Sequence, residues 1–337
     1  MEIFLVLKIT FFTYIFIGDI MLKKSALRRI MVSTMALIIV SVLYFFPEEE
    51  QYSPLVQNID YVSVSATPIY LINPDQYVVR TTIATTSEDA ISLAKELIEA
   101  LTIGSDKSEY IPKHFSEIIP ENTKLLDISL ENGLLKLDFS QEFLNIEKDL
   151  EEKLIESIVY TLTEIKGIEQ IMIFVEGTKL DMLPQSKINL PNTLDRTYGI
   201  NKIYDITNLK DLTKTTIYYI GEFGDLVYYV PVTKLENDNG NDKIEIIIDE
   251  LKSSPIYETN LMSYLASSVE LESYEELENQ VTLSFNNAIF DDFTEQSILE
   301  EVKYSISLSI QDTLHVDEVI FKVNDEVIET FKANEKS

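Results

Sequence analysis

The feature that most constrains the fold is a change of hydrophobic period after residue 140. Residues 125–130 and 135–139 alternate apolar and polar side chains, which is the two-residue period of a half-buried strand. Asn132-Gly133 lies between them and suits a type I′ turn, because both central residues of that turn need positive φ. The sequence therefore predicts a hairpin. Its predicted buried side chains are Leu126, Ile128, Leu130, Leu135, Leu137 and Phe139.

The residues that follow have the 3.6-residue period of a helix. Acidic side chains between residues 147 and 152 complement the dipole at its N-terminal end, and Gly167 lies where a C-terminal cap is expected. The apolar run at 171–175 then predicts a further strand. Hairpin, helix and strand together indicate an α+β unit whose sheet is covered on one face. The predicted helix stripe is Leu150, Leu154, Ile158 and Leu162, with Ile155 and Ile165 beside it.

Another hairpin and helix precede this unit. Residues 69–71 and 77–83 are predicted strands on either side of the turn signal Asn73-Pro74-Asp75. Thr86 or Ser87 is expected to cap the helix, because either hydroxyl can accept a backbone N–H of the first turn. The expected apolar stripe is Ala90, Ala94, Leu97 and Leu101, with Gly104 at the end of the helix.

The chain then repeats itself at a spacing of roughly 148 residues, which is the size of a domain rather than of a solenoid repeat. Ile69-Tyr70-Leu71 is echoed by Ile217-Tyr218-Tyr219, and Leu137-Asp138-Phe139 by Leu283-Ser284-Phe285. Two units of about 140 residues are each long enough to bury a core.

Two helices are predicted in the second copy. The first has Ile244, Ile247, Ile248 and Leu251 on one face, although this β-branched run also fits a strand. The second spans residues 294–310, with Ile298, Val302 and Ile306 on one face.

Four runs of the first copy form a distinctive series in this order: Ile119-Pro120…Thr123-Lys124-Leu125-Leu126, Leu137-Asp138-Phe139-Ser140…Phe143-Leu144, Thr161-Leu162-Thr163-Glu164…Gly167-Ile168 and Phe174-Val175-Glu176-Gly177. Together these runs resemble the GerMN domain of the GerM family of sporulation and germination proteins. The second copy carries Ser284 where the first has Asp138, so the resemblance is looser there. The resemblance implies two similar GerMN-like domains, each a small, mostly antiparallel sheet with two helices, similar to ring-building modules of secretion systems.

The N-terminal region predicts a membrane anchor. Residues 30–46 carry no charge, and seventeen residues at about 1.5 Å each reach about 25 Å, enough for a short spanning helix. Basic residues precede this run and Glu48 to Glu50 follow it, which places the C-terminal body outside the cytoplasm. No small-x-small cleavage site follows, so the anchor is expected to stay attached. Either Met1 or Met21 fits as the natural start.

The predicted organisation follows from these patterns. A cytoplasmic or upstream-start segment occupies 1–29, the transmembrane anchor 30–46, a linker 47–60, the first GerMN-like domain 61–182, a junction 183–214 and the second, divergent domain 215–333.

Composition excludes several classes of site. The 57 acidic against 27 basic residues give a net charge of −30, which repels phosphate backbones and argues against nucleic-acid binding. With no cysteine, the chain has no disulfide, thiolate ligand or cysteine nucleophile, and no lipobox of the kind that GerM family members can carry. The two histidines, His114 and His315, have no metal-ligand spacing, and no phosphate-binding glycine loop or nucleophile elbow occurs.

The remaining candidates for chemistry favour structural roles. Asp138 and Glu142 lie in family motifs, but Asp138 is expected to face outward on its strand and cap backbone groups. Residues 237–242 hint at a calcium loop yet lack its spacing and final glutamate, so a turn is favoured. Tyr218, Tyr219, Tyr228 and Tyr229 can stack on sugars but more often pack within a sheet. The sequence therefore predicts no catalytic, cofactor-binding or metal-binding residue.

Two functions are compatible with this sequence. The resemblance implies a non-enzymatic, membrane-tethered protein between the mother cell and forespore membranes, supporting assembly of the channel that joins the two cells by contacts with extracytoplasmic channel proteins. The alternative is a cell-wall role, either peptidoglycan binding or carboxylate-based hydrolysis.

Overall fold

The computed structural model describes residues 24–45, 65–224, 226–238, 240–253, 260–292 and 294–332. The chain divides into two compact units, Met1–Tyr61 and Val62–Ser337. In the first unit, helix α1 spans Lys24–Phe45. In the part of the chain that the structure describes, no helix is long and apolar enough to cross a membrane. The predicted anchor at 30–46 is therefore not supported.

The second unit begins with a hairpin, a helix and a second hairpin. A helix and two strands complete the first half, followed by a short strand in the junction. The elements are β1 Ser65–Ile72, β2 Val78–Thr85, α2 Ala90–Leu101, β3 Leu125–Glu131, β4 Leu134–Phe139, α3 Glu151–Leu162, β5 Gln170–Val175, β6 Thr178–Lys179 and β7 Ile203–Asp205.

The second half repeats this order with a longer opening hairpin and one extra pair of short strands. The elements are β8 Leu212–Phe223, β9 Leu226–Asn237, α4 Lys243–Ser253, β10 Leu271–Leu277, β11 Gln280–Phe285, β12 Phe290–Asp292, β13 Ser297–Ile298, α5 Glu300–Leu314, β14 Glu318–Val323 and β15 Glu326–Lys332.

Each half has its own four-stranded sheet, and both sheets have the same order. The first runs β3-β4-β5-β6 and the second β10-β11-β14-β15. In each, the two central strands pair in parallel and the outer pairs are antiparallel. The parallel pair follows from the crossover helix, α3 or α5, that joins its strands. The expected pair of α+β units with two helices each is present.

The opening hairpins of the two halves meet in one further sheet. Its order is β1-β2-β9-β7, with β8 also paired to β9. The strands β2 and β9 pair only at Arg80 and Tyr229, so the two hairpins touch at one point of the ladder. This sheet belongs to both halves, and both halves lie in one compact unit. The structure therefore does not separate two domains at the predicted boundaries, which stay a prediction.

The hairpin at Asn132-Gly133 and the predicted buried faces of α3 and α4 are present in the structure. Asn132 and Gly133 have φ of 51° and 80°, as a type I′ turn requires. In α3, the predicted residues Leu154, Ile155, Ile158 and Leu162 are buried. The helical alternative is correct for the β-branched run of α4. Its four predicted inward residues, Ile244, Ile247, Ile248 and Leu251, are all buried.

Three local predictions on the first half are wrong. A bulge between Leu125 and Asp127 breaks the alternation, so Leu126 is 48% exposed and Leu125 packs inward instead. Helix α2 begins at Ala90, later than expected, so Asp89 is its cap and accepts the N–H of Ser92, while the N–H groups of Thr86 and Ser87 donate to Glu96. Helix α3 ends at Leu162, so Gly167, with φ of 92°, lies in the following turn.

The second predicted helix of the second half begins too early. Helix α5 starts at Glu300, and Ile298 lies in β13 opposite Phe290. The Asp292 carboxylate accepts the N–H groups of Thr294 and Glu295, which builds a turn where a helical start was expected. The side chains of Ile298, Val302 and Ile306 are nevertheless all buried.

Candidate functional site

Two equivalent tyrosines meet at the centre of the second unit. Tyr70 of β1 and Tyr218 of β8 are 148 positions apart, and their hydroxyl oxygens lie 3.0 Å from each other. Both side chains are fully buried. Burial raises the pKa of both phenols, so neither ionises near neutral pH. The repeat of the sequence therefore becomes a contact between the two halves.

Each tyrosine donates to a carboxylate of its own half. The Tyr70 hydroxyl donates to Glu164 at 2.9 Å, and the Tyr218 hydroxyl donates to Asp312 at 3.0 Å. Glu164 and Asp312 are also 148 positions apart, so they are equivalent residues of the repeat. Glu164 lies just after α3, and Asp312 lies near the end of α5. The centre thus has an approximate two-fold arrangement, with one tyrosine and one acid from each half.

Arg196 joins the two acids. One guanidinium nitrogen lies 2.9 Å from Glu164 and another 2.7 Å from Asp312. The planar fork of an arginine suits this double contact better than the single point charge of a lysine. Its guanidinium also lies 4.9 Å from the centre of the Tyr160 ring, which is a cation–π contact. Arg196 comes from the junction between the halves and has no counterpart in the repeat.

Arg80 supplies a second positive charge that balances the two carboxylates of the centre. Its Nε lies 3.4 Å from Glu164, so two arginines face two carboxylates. Burial on its own raises the pKa of Glu164, but the charges of Arg196 and Arg80 outweigh it and lower that pKa to about 2. Burial opposes the charged form of Arg196, but Asp312 and Glu164 keep its pKa above the ordinary value. Glu164 and both arginines are therefore ionised at neutral pH.

Hydroxyls on the crossover helices accept backbone N–H groups of the strands β1 and β8. Tyr70 N donates to Thr161 Oγ1 at 3.0 Å, and Tyr218 N donates to Ser309 Oγ at 2.8 Å. These pairs again differ by the repeat offset. Each helix therefore hydrogen-bonds directly to the strand beneath it, where no neighbouring strand supplies a partner.

Asn201 of the junction connects the two hairpins where their ladder is interrupted. Its side-chain nitrogen donates to the carbonyls of Val78 and Pro231, both at 2.7 Å, and its oxygen accepts Val78 N. Glu156 of α3 accepts the backbone N–H of Asn201 at 3.0 Å. Burial raises the pKa of Glu156 to about 7, although Lys202 lies 3.2 Å away and opposes the rise.

The structure separates the candidate residues predicted from the sequence. Asp138 lies on the outer face of its sheet, and its carboxylate accepts the N–H of Gly177 at 3.0 Å. Glu142 is in a one-turn 3₁₀ helix, and hydrogen bonding, first to Ser140, lowers its pKa. The two histidines have different surroundings: the centres of the His114 and Phe223 rings lie 3.9 Å apart, and His315 is the C-terminal cap of α5.

The four tyrosines lie within the sheet that joins the halves. Tyr218, Tyr219 and Tyr228 are at most 5% exposed, and Tyr229 lies half-buried against Tyr304. Their rings are not open for stacking on a sugar. The segment 237–242 links β9 to α4, and Asn239 lies outside the described residues. Among the residues that the structure describes, no group of three or more acidic or histidine side chains is placed to hold a metal ion.

The central arginine and its two acids were missed by the sequence reasoning. A signal for them was present, because Tyr70 and Tyr218, and likewise Glu164 and Asp312, differ by the period already found in the repeat. The contribution of Arg196 had no such signal, since it comes from the junction.

Comparisons with known proteins agree with this architecture. The family model described as "Germane: Sporulation and spore germination" matches residues 68–181. The chain is 34% identical over 263 residues to the spore germination protein GerM of Bacillus subtilis (strain 168), covering 76% of this chain and 70% of that protein. The solved tandem GerMN domains of the sporulation protein GerM from Bacillus subtilis match with a TM-score of 0.70 and 31% identity. That match covers 78% of this chain and 92% of the solved one.

Both the identity and the shared tandem arrangement extend beyond the first half. The expected pair of GerMN-like domains is therefore confirmed over the 78% of this chain that the solved tandem domains cover. The chain belongs to the GerM family of sporulation and spore germination proteins.

Proposed function

We propose that the protein is a non-enzymatic scaffold that supports assembly or stability of the channel between mother cell and forespore. It would do so through protein contacts of its two GerMN domains. The observation that carries the proposal is the tandem arrangement, which the chain shares with a sporulation protein over most of its length. Extracytoplasmic channel proteins are the proposed partners.

The buried centre supports a structural role for the pairing of the halves. Its carboxylates are each engaged by Arg196 and by a tyrosine hydroxyl. Such a fully paired network fixes the geometry of the groups around it. A scaffold benefits from this, because two contact surfaces held at a fixed distance bind a partner with less loss of freedom than two independent ones.

The outer face of the first sheet is one such contact surface. Met172 and Phe174 of β5 are half-buried there, beside Lys136 and Asp138 of β4, with which they pair. Methionine and phenylalanine are enriched in protein interfaces relative to the rest of the surface. This face is directed away from the buried side chains Leu137 and Ile173, which pack beneath the sheet.

Attachment to a membrane is part of the proposal and rests on the sequence alone. The charge-free run at 30–46, with basic residues before it and acidic residues after it, supports an anchor with the second unit outside the cytoplasm. Two measurements test this point. Fractionation of cells should recover the chain with the membranes, and protease added to intact protoplasts should degrade the second unit. Recovery of the full chain in the soluble fraction would contradict it.

The functional proposal is tested in sporulating cells. A fluorescent fusion should collect at the engulfing septum, and deletion should remove the foci formed by channel components. Complementation with the full chain should restore the foci. Uniform fluorescence around the envelope, with intact foci in the deletion strain, would contradict the proposal and favour general binding to peptidoglycan.

A further inference from the structure

Each half of the second unit has an open groove between its first helix and the outer strand of its sheet. In the second half, α4 and β10 enclose a groove of about 510 Å³. In the first half, a groove of about 580 Å³ is lined by α2, by the segments 102–105 and 121–123, and by Leu125 at the start of β3. Both outer strands lie at the end of their sheet order, so each has a partner on one side only among the described strands. The two grooves occupy equivalent places in the repeat.

The groove of the second half joins an apolar floor to acidic walls. Leu271 and Tyr274, both half-buried, form the floor, and the third apolar side chain of the lining, Ile248, is only 2% exposed. Four carboxylates surround them, and the single lysine of the lining, Lys252, lies 3.6 Å from one of these, Asp249. The net charge of the lining is therefore negative. The four acids are Glu245, Asp249, Glu270 and Glu272.

The equivalent groove of the first half has a different charge. Its apolar side chains are Ile98, Ile103 and Leu125, and its charged ones are Lys95, Glu99 and Glu121. One cation thus stands against two acids there, compared with one against four in the second half. Because the fold is the same at both places, the charge difference comes from the sequence of the second half and not from the groove as such.

We propose that the groove between α4 and β10 binds an extended, basic segment of a partner protein. An added strand would take up the unpaired edge of β10 by backbone hydrogen bonds. Alternate side chains of a strand point to opposite sides, so apolar residues would lie on Leu271 and Tyr274 while lysines or arginines meet the carboxylates. Charge complementarity selects this occupant over an acidic one, which four carboxylates would repel.

This inference names the partner chemistry of the proposed scaffold, but its test is independent of the cell experiment. The probe is a fluorescein-labelled decapeptide of alternating lysine and valine, measured by anisotropy against the full chain. The double variant Glu245→Gln/Glu272→Gln should bind it at least tenfold more weakly. The matched variant Glu99→Gln/Glu121→Gln, which changes two acids in the other groove, should bind within twofold of the unaltered chain.

One further peptide separates strand addition from general attraction between charges. A peptide with proline at the valine positions keeps its charge but loses backbone N–H donors, so it should bind at least tenfold more weakly. Equal weakening by both double variants, or equal binding of the proline peptide, would overturn the proposal. Concentration-dependent self-association that the lysine-valine peptide reverses would assign the groove to a second copy of the chain and would also overturn it. The cell experiment can fail while this groove still binds the peptide, and the groove can fail to bind the peptide while the cell experiment succeeds.

Discussion

Replacing Arg196 by methionine tests how the two halves are held together. The variant keeps a similar apolar stem and removes the guanidinium from Glu164 and Asp312. Arg80 stays 3.4 Å from Glu164, but the carboxylate of Asp312, whose side chain is 1% exposed, keeps only the Tyr218 hydroxyl of its central partners. Removing one partner of a buried ion pair costs about 3–5 kcal/mol, because the other charge stays buried without compensation. We expect a loss of unfolding free energy in that range.

The assay is urea unfolding at pH 7, followed by far-ultraviolet circular dichroism. Lys136→Met is the matched control, since it removes the cation of an exposed pair with Glu131, whose side chains are 39% and 70% exposed. Exposed pairs contribute about 0–1 kcal/mol, so this control should stay near the unaltered protein. The difference between the variants should shrink in acid, because protonated carboxyls need no counter-charge. Equal stability of Arg196→Met and Lys136→Met at pH 7 would refute the reasoning.

Three further predictions concern individual side chains. The folded-state pKa of Glu164 is about 2 against an ordinary 4.5, so its ionised form contributes about 3 kcal/mol of stability above pH 4.5, and this stability is lost as the pH falls towards 2. Glu164→Gln should therefore reduce the loss of stability between pH 4.5 and pH 2. An unchanged loss would contradict the assignment. Glu156 has the opposite sign, because its raised pKa of about 7 adds stability below pH 4.5 that is lost as the pH rises through 7. Glu156→Gln should therefore gain up to about 3 kcal/mol on the unaltered protein between pH 5 and pH 8, measured by urea unfolding at each pH. A Cβ at Gly221 would lie 2.4 Å from the Tyr228 ring, so Gly221→Ala should cost about 1–3 kcal/mol; adding Tyr228→Leu should recover part of this cost, and strictly additive losses would contradict a clash.

Local periodicity was enough to predict most elements of each half. The hairpin at Asn132-Gly133 and the apolar stripe of α3 followed from turn chemistry and from a 3.6-residue period. Errors arose where one local signal competed with another. Helix α2 begins at Ala90, so Asp89 takes the cap position and accepts the N–H of Ser92, while the N–H groups of Thr86 and Ser87 donate to Glu96. Periodicity does not decide which of several neighbouring polar residues caps a helix.

The meeting of the halves was beyond the reach of the sequence for a different reason. The repeat predicted equivalent positions, but a period does not state that equivalent residues touch. Tyr70 and Tyr218 contact each other only because the opening hairpins join in one sheet, and that sheet has a single ladder pair between β2 and β9. Arg196, which completes the centre, lies in a junction without periodicity.

The fixed relation of the two halves is the central claim of this account, and a distance measurement tests it most directly. The chain has no native cysteine, so Glu131→Cys and Glu326→Cys place one spin label on an exposed position of each outer sheet without interference. Pulsed electron–electron double resonance on this variant should give one narrow distribution of distances between the two labels. The distribution should broaden when Arg196→Met is added. A broad or two-peaked distribution in the labelled chain that retains Arg196 would show that the halves move independently, and would contradict the account.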